Sequence, residues 1–170
     1  MSNELWVVAP YFNFHGDPRR AENLERFLKG LPERLKVCLV EVVNDLGANP
    51  VRKDVELHVI GYAKDDHQLW CKEALINIGI ELLPDDCTKV VWMDADVLIP
   101  KPGWDVALSE LLDTCDVAQP FSEYVNLEAG ADPDTALLAT HKSYANEAHR
   151  RAKSGWRAVP IDFLHYHPGY

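Results

Sequence analysis

Short apolar runs alternate along this chain with segments of helical periodicity. Continuous apolar runs of this kind are typical of strands buried on both faces of a parallel sheet. The predicted strands, in chain order, are Leu5 to Pro10, Lys36 to Val43, Val55 to Ile60, the run that ends at Met93, Val117 to Phe121 and Arg157 to Tyr166.

Helix boundaries are signalled by capping residues. Asp17 and Pro18 are typical of an N-cap and a first helical position, and Gly30 closes the apolar pattern that follows them. Further helices are predicted at Gln68 to Leu83, Trp104 to Leu112, and Pro133 to Lys153. Strands that alternate with helices predict an α/β fold with a mostly parallel central sheet flanked by helices.

Size and charge narrow the class of protein. A chain of 170 residues suits a single domain, spanning residues 1–170. The net charge of −10 excludes the broad basic surface that nucleic acids or anionic membranes require. No apolar stretch approaches the length of a transmembrane helix, and no signal peptide is visible, so we expect a cytoplasmic protein without membrane insertion. An anionic substrate would need a local cation.

Asp94 and Asp96 follow the apolar run Val90 to Met93, with a single alanine between them. Because an unpaired buried carboxylate is costly, two acids at the end of an interior strand require a compensating charge. Hard oxygen ligands suit Mg²⁺ or Mn²⁺. The pair therefore predicts a metal and phosphate site at the carboxyl end of the sheet, where ligands of open α/β sheets bind. Capping or turn acids are the alternative interpretation.

Residues 69–79, which contain Lys72 and Asn77, precede the apolar strand that leads into Asp94-Ala95-Asp96. This order of elements resembles the nucleotide-binding half of GT-A fold glycosyltransferases. The resemblance is best from about Leu5 to Phe121 and implies a Rossmann-like sheet that binds a nucleoside diphosphate sugar.

The resemblance also implies roles for individual residues. It implies that Asp96 binds the metal directly, that Asp94 lies near the ribose or a metal-bound water, and that Lys72 lies near the diphosphate. Asn77 belongs to the same nucleotide-binding set, Glu41 would hydrogen-bond the base or ribose, and the nucleotide pocket would be lined by Pro10, Tyr11 and Asn13. The cofactor would be Mn²⁺ or Mg²⁺, the partners a nucleotide-sugar donor and an acceptor.

Three further residues complete the hypothesis. Glu123 lies in a loop that could face the donor sugar and would be a general base. His165 or His167 would supply a third metal ligand, as a downstream histidine does in some proteins of this fold. Each of these three residues could instead be an ordinary loop residue without a role in catalysis or metal binding.

Two competing functions stay open. Members of this family continue into an acceptor-binding portion, most of which we expect to be missing after His167, so the chain could be a truncated or non-catalytic sugar-nucleotide-binding domain. A phosphohydrolase of the haloacid dehalogenase type is less favoured. It would use Asp94 as nucleophile and Asp96 as general acid, but that motif normally follows the first strand.

Overall fold

A computed structural model describes residues 5–45, 52–63, 71–127 and 140–143 of the chain. The chain divides into two compact units, Met1–Asp116 and Val117–Tyr170. The predicted strand at Arg157 to Tyr166 lies outside the described residues. Among those residues, no helix is long and apolar enough to cross a membrane.

Among the described residues, the first unit has a four-stranded sheet and three helices. Its elements, in chain order, are β1 (Leu5–Phe12), α1 (Pro18–Gly30), β2 (Lys36–Val43), β3 (Leu57–Tyr62), α2 (Lys72–Glu81), β4 (Lys89–Trp92) and α3 (Trp104–Leu111). All three strand pairings of the sheet are parallel. The predicted α/β class with a parallel central sheet is therefore confirmed.

Strand order places a switch point beside β1. The order across the sheet is β3-β2-β1-β4, so the chain moves in one direction from β1 to β3 and then returns to the other side of β1. Because right-handed crossovers are the rule, the reversal puts α1 and α2 on opposite faces of the sheet. The crevice at such a reversal, outside the carboxyl ends of the strands, is where open α/β folds bind ligands.

A buried cluster on one face of the sheet joins the strands to α2. It contains Trp6, Val8, Phe12, Cys38, Val40, Val42 and Leu75. The residues of β1 and β2 alternate between the two faces, and β1 is buried throughout. The central strands therefore form a rigid support for the loops at their carboxyl ends.

The second unit differs from prediction in two places. Val117 to Phe121 is not a strand. Val117 is 76% exposed, and Pro120 cannot donate a backbone hydrogen bond. The described strands there are β5 (Glu123–Val125) and β6 (Thr140–Lys142), which pair antiparallel.

Strand β6 lies inside the segment that was predicted to be a helix from Pro133 to Lys153, so that prediction is wrong at these residues. Cross-strand contacts explain the difference, because the rings of Tyr124 and His141 stack with their centroids 5.2 Å apart. The rest of that predicted helix lies outside the described residues.

Candidate functional site

The candidate site lies at the carboxyl ends of β1 and β4, where the strand order reverses and open α/β sheets form a crevice. The ladder between these strands ends where Val8 pairs with Trp92, and the amide of Met93 then donates to the Val8 carbonyl oxygen at 3.1 Å. β1 continues to Phe12, paired with β2 alone. The chain that follows β4 therefore leaves the sheet as Asp94 begins, and the end of β1 becomes one wall of the crevice.

A tight turn presents the two predicted carboxylates. The amide of Val97 donates to the Asp94 carbonyl oxygen at 3.2 Å, and Ala95 is buried inside the turn. The small alanine anchors the turn against the protein, while Asp94 is half-buried and Asp96 is exposed. Both acids thus emerge from the same turn at the carboxyl end of β4.

Lys72 joins this turn from the first position of α2. Its Nζ lies 2.5 Å from Oδ1 of Asp94, and both side chains are partly exposed. This contact follows from topology, because α2 leads into β4 and begins at the carboxyl end of the sheet. One cation and two carboxylates therefore share the crevice.

Asp96 has a perturbed environment. Although the residue as a whole is exposed, neighbouring protein atoms partly desolvate its carboxyl and raise the pKa. The charge of Asp94 raises this pKa further, while Lys72 and Arg20 lower it. Like charges that disfavour each other are relieved by a bound cation.

The donor set fits Mg²⁺ or Mn²⁺ bound jointly by protein and substrate. Within the described residues, no group of three or more histidine, cysteine or acidic side chains could hold a metal. Mg²⁺ is commonly bound by one or two carboxylates, with waters and substrate phosphates completing the octahedron. Asp94 and Asp96 supply that number of carboxylates.

The end of β1 is shaped by Asn13 and Tyr11. The Asp17 amide donates to Oδ1 of Asn13 at 2.7 Å, and Nδ2 of Asn13 donates to the Asp17 carbonyl oxygen at 3.1 Å. Asn13 therefore ties the loop to the N-cap of α1. Burial raises the pKa of Tyr11, a hydrogen bond from Asn13 lowers it, and the nearby Glu41 raises it. Pro10 is buried beside them.

Glu41 lies within β2, two positions before the end of the strand, and is buried. Its Oε2 is 2.9 Å from Nε2 of His58, and Nδ1 of His58 accepts from the Arg52 amide at 2.9 Å. Because Nδ1 is an acceptor, the ring proton of the neutral histidine is on Nε2 and is donated to Glu41. The structure thus places Glu41 in a buried hydrogen-bond network.

Of the other predicted site residues, Asn77 belongs to the first unit and does not join the acid pair. Asn77 is exposed and lies five residues after Lys72, which places it on a different face of α2. Glu123 belongs to the second unit, where it is ion-paired with Lys142. His165 and His167 lie outside the described residues. The roles given to these residues stay predictions.

Sequence reasoning missed residues that follow or face the strand ends. Asn44 and Asp45 come directly after β2, and Nδ2 of Asn44 donates to the Phe14 carbonyl oxygen at 3.3 Å. Their position immediately after an apolar run is the feature of the sequence that could have identified them. Arg20 was missed too. A positive charge in the first turn of a helix is disfavoured by the helix dipole, and this unusual position could have drawn attention to the residue.

Three comparisons were made with known proteins. Protein-family models, curated protein sequences and solved structures gave no match to this chain.

Proposed function

We propose that this protein is a metal-dependent glycosyltransferase that binds a nucleoside diphosphate sugar and transfers the sugar to an acceptor. One observation carries the proposal. A turn bearing Asp94 and Asp96, with Lys72 bonded to it, lies at the switch point of a parallel sheet. This combination provides two metal ligands and a phosphate-binding cation in the crevice where the fold binds ligands.

The chemistry of sugar transfer requires charge stabilisation on the leaving side. Departure of a nucleoside diphosphate develops negative charge on its phosphate oxygens, and preorganised cations stabilise that charge. A metal bound at this turn would supply Lewis-acid stabilisation of the leaving diphosphate. Asp96 is the better placed metal ligand, because Oδ1 of Asp94 already accepts from Lys72.

The remaining residues of the crevice orient the donor. The loop after β1 is fixed by the bonds between Asn13 and Asp17, so it offers a preformed wall for the nucleoside. Lys72 lies on the diphosphate side of the acid pair and can exchange its partner Asp94 for a phosphate oxygen. Each of these groups binds or positions the donor, and the acceptor side belongs to residues that the crevice does not include.

Ligand-induced stabilisation tests the metal and diphosphate site. Thermal unfolding is measured with UDP, ADP, GDP, CDP or TDP, with and without Mn²⁺. A ligand that binds only the native state at 100 times its Kd stabilises it by about 2.7 kcal/mol. We expect Mn²⁺-dependent stabilisation by at least one diphosphate, lost in Asp96→Ala and kept in Asp86→Ala, an exposed acid in the turn after α2. No stabilisation by any diphosphate would refute the proposal.

Turnover separates the enzyme from its alternatives. Release of the free nucleoside diphosphate from a nucleotide sugar, dependent on Asp96, would establish transfer or hydrolysis of the donor. Binding without release would identify a sugar-nucleotide-binding domain. Release of phosphate from a simple phosphomonoester, lost in Asp94→Asn, would identify a phosphohydrolase instead.

A further inference from the structure

Arg20 differs from the other described arginines in its partners. Within the described part of the chain, an ion pair with a carboxylate is formed by Arg19, Arg26, Arg34 and Arg52. Nη1 of Arg20 instead donates to the Phe12 carbonyl oxygen at 3.0 Å, and no described carboxylate is paired with it. Because the protein has a net charge of −10, its arginines are expected to pair with carboxylates. Arg20 differs, since its described bond is to a backbone carbonyl oxygen.

The bond to Phe12 fixes where the guanidinium lies. Phe12 is the last residue of β1, the strand beside the crevice, and Arg20 belongs to the first turn of α1. The side chain therefore reaches back from the helix to the carboxyl end of the central strand. A positive charge in this first turn is disfavoured by the helix dipole, so local helix stability does not explain its presence.

The same bond brings a positive charge to the candidate site, because the end of β1 is one wall of the crevice. Burial raises the pKa of Tyr11 on this wall, and the charge of Arg20 lowers it. Arg20 therefore lies on the β1 side of the crevice, whereas Lys72 reaches Asp94 from α2.

We propose that Arg20 is a second cation for the diphosphate of the donor, binding it from α1 opposite Lys72. This inference rests on the proposed function and adds a specific binding residue to it. A guanidinium carries five N–H donors in a planar fork, so the bond to Phe12 leaves other donors for phosphate oxygens. That bond also holds the fork in place before the ligand arrives, which reduces the entropy lost on binding.

Arg19 provides a matched control. It is the neighbouring arginine on the same turn of α1, its side chain is 75% exposed, and it is paired with Asp17. Affinity is measured by calorimetry for the nucleoside diphosphate that stabilises the wild-type protein most in the presence of Mn²⁺, and for the corresponding nucleoside. The proteins compared are the wild type, Arg20→Gln, Arg20→Lys and Arg19→Gln.

We expect Arg20→Gln to weaken diphosphate binding by about 10- to 100-fold, the loss typical of a hydrogen bond to a charged group. The affinity for the nucleoside should not change, because Arg20 is proposed to bind the phosphates and the nucleoside has none. Arg20→Lys should lose less of the affinity for the diphosphate, because lysine keeps the positive charge although it lacks the planar fork of donors. Arg19→Gln should bind the diphosphate like the wild type.

The two proposals fail in different ways. If the wild type binds the diphosphate and Arg20→Gln binds it as tightly as Arg19→Gln does, the role of Arg20 is refuted while the proposed function stands. If the wild type binds no diphosphate, the proposed function is refuted and this inference with it. Should Arg20→Gln fail to fold, an Arg20→Met variant that folds and binds the diphosphate as tightly as the wild type would also refute the role of Arg20.

Discussion

Asp105 shows how a single residue in this fold depends on its partner. It is 3% exposed at the start of α3, and its two carboxylate oxygens lie 2.5 Å from Nε and Nη2 of Arg34. Arg34 lies between α1 and β2, so this two-pronged contact joins segments that are distant in sequence. Such bidentate pairs combine charge with fixed geometry.

We expect Arg34→Ala to lower the free energy of unfolding by about 1–3 kcal/mol, because it leaves a buried carboxylate without its charged donors. Arg26→Ala is the control. Arg26 pairs with Glu22 on the exposed surface of α1, and such pairs contribute about 0.3–0.5 kcal/mol. Urea unfolding of both variants measures the difference, and equal losses would contradict this interpretation of Asp105.

Local sequence patterns predicted the role of a residue where that role depends on its neighbours in the chain. Asp17 was predicted to cap α1, and its side chain accepts from the Arg19 amide at 2.9 Å. Cross-strand partners are different. The contact of Glu41 with His58 depends on the register between β2 and β3, and nothing near either residue in the chain signals it.

At the scale of elements, α2 packs closely on the sheet. A Cβ atom added at Gly79 would lie 2.6 Å from Cγ1 of Val8 and 2.9 Å from Cγ2 of Val40. Glycine is therefore required here by contact and not by backbone conformation. The close approach sets the position of the helix whose first residue, Lys72, contacts Asp94.

Gly79→Ala should destabilise the protein, although alanine favours helix formation by about 1 kcal/mol. Overpacking of a filled core costs about 1–3 kcal/mol, so we expect a net loss of up to about 2 kcal/mol in urea unfolding. Val8→Ala added to this variant should recover part of the loss, because it removes the atom in closest contact. Simple additivity of the two losses would show that the contact with Val8 is not the cause.

The strands that sequence predicted well are the ones buried on both faces. β1 and β2 are continuous apolar runs, and no helix pattern competes with them. β6 was missed because Thr140-His141-Lys142 has no apolar run, and its pairing with β5 joins residues that are distant in the chain. The acid pair was predictable because two carboxylates directly after an apolar strand are locally costly, whereas its contact with Lys72 depends on topology.

At the scale of the whole molecule, the sheet and the candidate crevice belong to the first unit. All four strands of the parallel sheet and the buried cluster around Val8 and Val40 lie before Asp116. The first unit therefore contains every strand pairing of the parallel sheet that the described residues form.

A fragment of residues 1–116 should therefore unfold cooperatively and keep the Mn²⁺-dependent stabilisation by a nucleoside diphosphate proposed for the full chain. We expect it to lose sugar transfer, because Glu123 and every residue of the second unit are absent from it. Circular dichroism during heating measures whether unfolding is cooperative, and the thermal-shift series measures stabilisation by the diphosphate. Release of the nucleoside diphosphate from a nucleotide sugar measures whether transfer is lost. A fragment without a cooperative transition would show that the first unit needs the second for its stability.

The early separation of β4 from β1 has an evolutionary consequence. The ladder between them ends at Val8 and Trp92, so Asp94 and Asp96 occupy a turn that contributes no strand pairing. Substitutions of the two acids can therefore change the charge that this turn presents without loss of backbone hydrogen bonds in the sheet. The site can diverge while the stability of the core is preserved.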